Sequence, residues 1–271
     1  MKYPEFAQET ISRFLKYFLV QKEKAMLNKD PEALHRMRVA GRRLRISLWA
    51  FKSIFPAKKY KKIKKDVRRA CKTLNPARDL DTQISMLLQL KANGRLIAEL
   101  RGRRAKMQPK IKNDLARLNS SKLENEIKEC IAGQKMLLDK QKLLEISKRK
   151  ISKKNKKLFL LTAYACRSEK LKKLHALRIA AKQLRYTLEL FSTLYPKNLQ
   201  NPLSDARSIQ RTLGNMRNCL ILADSPSLDD QQLKNKLESL ANKSYIKFTK
   251  IWKRQKIHKN LNAIINRKKT L

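Results

Sequence analysis

The chain has 271 residues, and its 66 Lys plus Arg against 22 Asp plus Glu leave a formal charge of +44. Self-repulsion on that scale opposes compaction and points to a polyanionic partner. Hydrophobic residues make up 42% in regular patterns, with only five Gly and eight Pro, which excludes a disordered, loop-rich or collagenous chain. From the N-terminus, Glu5, Glu9, Arg13 and Lys16 interrupt what would be a signal's apolar stretch, so residues 4–28 read as an amphipathic helix and not as a secretory signal. Asp30-Pro31 opens a second helix over 31–54, with Asp as a cap acceptor and Pro where no backbone N–H is needed; Pro56 closes it. Helices follow over 57–73 and 79–100. Residues 101–157, with the Arg101–Arg104 run and the lysine-rich stretch from Lys148 to Lys157, have the weakest pattern and suit helix, linker or both. The longest nearly apolar run, Leu158 to Cys166, is far shorter than the ~18 residues of a membrane span. Three further helices are expected over 169–194, closed by Pro196, and over 200–222 and 229–267. No segment alternates as a strand does, so the fold class is all-α.

Cys71, Cys130, Cys166 and Cys219 have no CxxC spacing and read as reduced thiols, which with the missing signal makes the cytoplasm the expected compartment and membrane attachment unexpected.

The informative feature is a repeat. Residues 34–56, LHRMRVAGRRLRISLWAFKSIFP, align with 174–196, LHALRIAAKQLRYTLELFSTLYP, at an offset of 140, with nine of 23 positions identical. One repeat near half the chain length implies two homologous halves, expected as 1–105 and 106–271 and packed about a pseudo-two-fold axis. Leu34, Met37, Gly41, Leu44, Leu48 and Phe51, with their partners Leu174, Leu177, Ala181, Leu184, Leu188 and Phe191, recur every three or four residues and mark the core stripe. At 100° per residue, His35, Arg38, Arg42 and Arg45 occupy an arc of about 80° centred about 110° from that stripe. The second half keeps the arc as His175, Arg178, Lys182 and Arg185, whereas Arg36 and Arg43 on the third side become Ala176 and Gln183.

A solvated helix face normally offsets like charges at i and i+4 with acids one turn away. Here residues 36–70 hold 14 Lys or Arg and one acid, Asp66. An external polyanion is the economical counterion, and Lys61, Lys65 and Arg68 extend the basic track. Neither His35 nor His175 reads as a metal site or as an oriented nucleophile. Their expected roles are a hydrogen bond to a phosphate oxygen, a bond across the pseudo-two-fold axis, or plain structure. A second motif pair, LNPARDLD from Leu74 and LGNMRNC from Leu213, aligns Arg78 with Arg217 at offset 139. Arg78 either joins the anion site or belongs to a local network in which Asp79 and Asp81 cap the next helix and pair with basic side chains; the second reading is preferred.

HRMRVAGRRLR at His35, HALRIAAKQLRY at His175, PARDLD at Pro76 and TLGNMRN at Thr212 together resemble the paired signatures of the CHAD domain, the conserved histidine α-helical domain. The resemblance spans nearly the whole chain. It implies two four-helix bundle halves forming one unit, and a basic surface or cavity that binds inorganic polyphosphate without catalysis. On matching positions it implies ligand contacts from His35, Arg38, Arg42, Arg43, Arg45, His175, Arg178, Lys182 and Arg185. Gln183 in place of Arg43's counterpart, and Asn218 in place of the acid after Arg217, imply unequal halves. The resemblance also makes polyphosphate granules an expected station within the cytoplasm.

Two other classes compete. A nucleic-acid-binding protein needs the same charge, but base recognition favours interleaved stacking aromatics, and aromatics are 6% here. A phosphate-ester enzyme is expected to show a P-loop or a metal-ligand cluster, and neither pattern is read in the sequence. No metal or cofactor is expected, and the expected partner is polyphosphate, with nucleic acid as a competing polyanion.

Overall fold

The computed structural model describes residues 3–28, 30, 32–132, 139–165, 171–195, 199–225, 228–254 and 257–266, without the side chains at 163–165, 171–173, 254, 258, 259, 265 and 266. Pro31, Cys166 and Pro196 lie outside the described residues. Those described form helices and connecting turns, with no strand among them. In chain order the helices are α1 (Tyr3–Leu27), α2 (Ala33–Ala50), α3 (Ala57–Thr73), α4 (Asn75–Gln89), α5 (Gly94–Lys106), α6 (Gln108–Ala116), α7 (Ser120–Ala132), α8 (Lys140–Ala165), α9 (Leu171–Phe191), α10 (Gln200–Ala223), α11 (Gln231–Arg254) and α12 (Ile257–Asn266).

The chain forms two compact units, Met1–Leu143 and Leu144–Leu271. The division falls inside α8 rather than at the expected 105/106, because α6 and α7 pack against α1 and α3 of the first half. The helices of each unit are also shorter and more numerous than four. Residues 79–100 are two helices: α4 ends in a Schellman turn, in which Lys91 takes a left-handed φ of 53° while Ala92 N–H bonds Leu87 O at 3.0 Å and Lys91 N–H bonds Leu88 O at 3.1 Å. Asn93 then caps α5, its side-chain oxygen accepting from Arg95 N–H at 2.9 Å. The stretch 229–267 is likewise divided into α11 and α12.

In the first unit α2 packs on α1 and α3. Every residue of the predicted core stripe on α2 is buried, and Phe51 meets Tyr3 and Phe6 edge-on at 5.7 and 5.9 Å. The α2–α3 contact is close enough that a Cβ on Gly41 would collide with Cys71 Sγ and stand 3.2 Å from Phe18, so glycine is required for space. Buried Lys22 is satisfied by Leu118 O at 3.0 Å and Ser120 Oγ at 2.9 Å, which ties α1 to the start of α7. In the second unit α10 packs against α9, α11 and α12, and Leu174, Leu177, Ala181, Leu184, Leu188 and Phe191 are all buried. The two core stripes therefore stand as the period predicted, and they fix which way the basic arcs of α2 and α9 face.

Candidate functional site

Because His35, Arg38, Arg42 and Arg45 share one side of α2, burying the stripe holds their stems at the edge of the core. His35 is exposed and the three arginines are half-buried. Arg38 Nη1 reaches over the start of α4 to Asn75 O at 3.4 Å. Burial, then Arg42, push the Arg38 pKa down to about 10, with Arg78 adding to the shift and Asp79 and Cys71 opposing it; the side chain still carries its charge at neutral pH. Burial likewise lowers Arg45, assisted by Arg68 and Arg42, and Arg45 Nε is buried without a hydrogen-bond partner. The imidazole of His35 is held below its ordinary 6.5 by desolvation first and Arg78 next, with Glu32 pulling the other way. A neutral imidazole beside arginines can accept or donate a hydrogen bond, and an incoming anion would favour its charged form.

The track continues onto α3. Lys61, Lys65 and Arg68 are exposed on one face of that helix, and none has an ion pair among the described residues. Lys59 and Lys62, on another face, are engaged by Glu129 at 2.9 Å and by Glu126 of α7. Arg43 is half-buried on α2, and Arg36, on its far side, pairs with Asp30.

In the second unit the same construction recurs. Exposed His175 and half-buried Arg178 and Lys182 lie along α9, and the Arg178 guanidinium lies over Gly214 of α10, its Nε 3.7 Å from where a Cβ would stand. Gly214 is the counterpart of Asn75 at offset 139, so each motif arginine spans to the same place in its own unit. His175 is lowered by desolvation, then by Arg217, Arg178 and Lys182, and no acid is among its influences. Arg185 differs from Arg45: its Nε donates to Glu189 at 2.9 Å and its Nη1 to Gln210 at 3.2 Å, and the guanidinium stacks 4.9 Å from the Tyr186 ring. Gln183 accepts from Lys154 Nζ at 3.0 Å.

Two residues that the sequence reading set aside complete the clusters. Arg78 stands beside His35 and Arg38, and Arg217 beside His175. The preferred capping reading of Asp79 and Asp81 is corrected by the helix boundaries: α4 begins at Asn75, with Pro76 in its first turn, so both acids lie inside the helix. The pairing half of that reading holds for Asp81, which accepts from Arg104 Nε at 2.9 Å and lies 3.9 Å from Arg78. Arg78 also donates to Glu32 at 3.2 Å. The signal that could have found the two arginines was already in the repeat: Arg is the one charged residue that both short motifs share.

Next to the second cluster, between α9 and α10, lies a cavity of about 380 Å³ lined by Leu174, His175, Arg178, Leu213, Met216 and Arg217, and continuing to Asp224. Among the described residues no three His, Cys, Asp or Glu side chains gather as a metal site. None of the described helices is long and apolar enough to cross a membrane.

The CHAD domain family model matches residues 9–225. No curated protein matches the chain. Among solved structures, the chain is similar to the crystal structure of the CHAD domain from the plant Ricinus communis, with a TM-score of 0.68 and 22% identity over 99% of this chain and 93% of that one. It is also similar to PptA from Streptomyces chartreusis, with a TM-score of 0.62 and 14% identity over 94% of this chain and all of that one. At these identities the two structures speak for the fold alone, and the family match is what places the protein: the chain belongs to the CHAD domain family.

Proposed function

We propose that the protein binds inorganic polyphosphate without hydrolysing it, through the α2 and α9 arcs, with Arg78 and Arg217 as added contacts and Lys61, Lys65 and Arg68 as an outer track. The observation that carries this reading is the twofold construction of one cluster, His35 with Arg38 and Arg78, and His175 with Arg178 and Arg217, in a chain with a large excess of cations. A polyphosphate chain has about one charge per phosphate and no bases, so its receptor needs spaced cations and little else. Arginine's forked donors engage two oxygens at once, lysine supplies a mobile point charge, and release of condensed counterions drives the affinity. Phe51 and Phe191, which end the two core stripes, are fully buried and serve packing, so neither is a stacking platform for a base.

The deciding experiment is competition between long-chain polyphosphate and single-stranded RNA at matched charge and salt. Polyphosphate is expected to win, with log affinity falling against log salt at a slope of about −0.7 to −0.9 per phosphate contacted. RNA binding more tightly would replace this reading with a nucleic-acid one, and a salt-insensitive affinity would end both. Incubation with polyphosphate and Mg²⁺ is expected to release no orthophosphate above background; turnover abolished by His35→Ala would make the protein an enzyme.

A further inference from the structure

The cavity of the second unit has a lining that a bare polyphosphate does not call for. Leu174 and Leu213 in its lining are deeply buried, and Met216, Leu220 and Ile221 add apolar lining along α10. His175, Arg178 and Arg217 share the lining, and Asp224 contributes a carboxylate at the end of α10. The repeat shows how unusual this is within the molecule. At offset 139, Met216, Leu220 and Ile221 correspond to Ala77, Asp81 and Thr82 of the first unit. There Asp81 is joined to Arg104 of α5 at 2.9 Å, and Arg78 is joined to Glu32 at 3.2 Å, so the equivalent ground is taken up by a polar network.

A cationic cluster that shares a cavity with apolar lining suits an anion carried on an apolar body. The volume, about 380 Å³, is near the lower end of the ~300–1,000 Å³ of small-ligand sites, enough for one ring system with its sugar and phosphate. Methionine adapts to the face of a flat ring, guanidinium forks match phosphate oxygens, and the Asp224 carboxylate can accept from hydroxyls or an exocyclic amine. We propose that this pocket is a mononucleotide site, with the phosphate against His175, Arg178 and Arg217 and the base against Met216, Leu220 and Ile221. The site stands independently of polyphosphate binding, although the two ligands would compete for the three cations.

Equilibrium dialysis of the full chain with AMP tests it, with orthophosphate, adenosine and dodecyl phosphate as comparison ligands at matched ionic strength. AMP is expected to bind at least tenfold more tightly than each of the three. The double variant Leu220→Asp with Ile221→Thr, which installs the first unit's residues, and the filling variant Met216→Trp are each expected to weaken AMP at least tenfold. Met216→Trp keeps every cation, and its affinity for polyphosphate should change less than threefold; helicity by circular dichroism identifies a variant that has not folded. Orthophosphate binding as tightly as AMP would mean that charge alone acts, tighter dodecyl phosphate would make the site one for alkyl amphiphiles, and AMP binding unmoved in a folded Met216→Trp would place it elsewhere on the basic surface. Each of these results overturns the proposal, and none of them touches the polyphosphate competition.

Discussion

The two copies of the motif place their acids at opposite ends. In the first unit the histidine end is occupied: Glu32 and Asp81 engage Arg78, Arg104 joins Asp81, and Asp79 acts on Arg38. At its other end neither Arg42, Arg45 nor Arg68 has an ion pair among the described residues. In the second unit His175 stands beside Arg217 with no acid among the groups that shift it, while Arg185 at the far end is held by Glu189. The substitutions responsible are few: Asp79 and Asp81 become Asn218 and Leu220, and Trp49 becomes Glu189. A shared motif with different counterions is thus two different electrostatic surfaces.

That difference can be broken most directly by paired substitutions that keep the side-chain stems. Arg42→Gln with Arg45→Gln, and Arg178→Gln with Arg217→Gln, should each weaken polyphosphate binding by tenfold or more, at about 1.5–3 kcal/mol per charge-assisted contact before screening. Arg78→Gln and Arg185→Gln should cost far less, because each cation already has a carboxylate. A control that removes Lys236, Lys243, Lys247 and Lys250, all exposed on α11, lowers net charge further than either pair and should have a small effect. Titration of the variants by fluorescence anisotropy checks this; losses that simply follow net charge would mean that both arcs are ordinary basic surface.

The second contrast is in packing. Ala181 is accommodated in the core of the second unit, whereas its counterpart Gly41 faces Cys71 and Phe18. Gly41→Ala should therefore destabilise the protein by about 1–3 kcal/mol through overpacking, read as a lower denaturant midpoint. Cys71→Ala, which removes the sulfur that the new methyl would strike, should recover part of that loss in the double variant. Additive losses would mean that the contact is not what excludes alanine.

The helices and their buried faces were legible because one stripe of apolar residues with a 3.6-residue period both predicts α2 and α9 and determines what they bury. Breaks were less legible. The chain-order reading starts the fourth helix at 79, yet Pro76 already interrupts the backbone by withholding the hydrogen bond that Lys72 O would receive, which separates α3 from α4; Gly214-Asn215 at the equivalent place leaves α10 continuous. The turn at Lys91 was hidden because lysine ordinarily favours a helix and gives no hint of a left-handed φ. At the site, the arcs could be read from the repeat and the pairing of Asp81 from its motif, while the hold of Glu32 on Arg78 and of Glu189 on Arg185 could not. Glu32 and Asp81 reach Arg78 from a preceding turn and from its own helix, and only the folded geometry says which carboxylate meets which guanidinium.

The histidines supply a pH test of the same contrast. Both are held below 6.5 in the free protein, so between those lowered values and 6.5 the unfolded chain binds more protons than the folded one. Stability of the protein alone should therefore fall as pH drops through about 6.5. A polyanion favours the imidazolium, so polyphosphate affinity should rise over the same interval, by up to about tenfold per histidine if its pKa moves one unit on binding. His175→Ala should remove more of that rise than His35→Ala, because Glu32 already favours the charged form of His35 and no acid does so for His175. Calorimetry in buffers of different ionisation enthalpy reports the protons taken up, and zero uptake would remove the histidines from the site.

The smallest expected effects come from moving a single counterion. Glu32→Gln releases Arg78 from a carboxylate that is 53% exposed, so the pair itself contributes little to stability, on the order of 0.2–1 kcal/mol for exposed pairs. Its effect on binding should be similar in size and favourable, because the freed guanidinium faces an incoming phosphate with one fewer competing anion beside it. Asn218→Asp makes the reverse change, placing beside Arg217 the acid that the first unit has after Arg78, and should weaken binding by a like amount. The two substitutions together should nearly cancel at low salt and converge on the parent affinity as salt is raised, since the Debye length shortens to ~8 Å at physiological ionic strength. Shifts of the same sign in the two single variants would show that these carboxylates act through local structure, and that the counterion contrast between the units does not govern affinity.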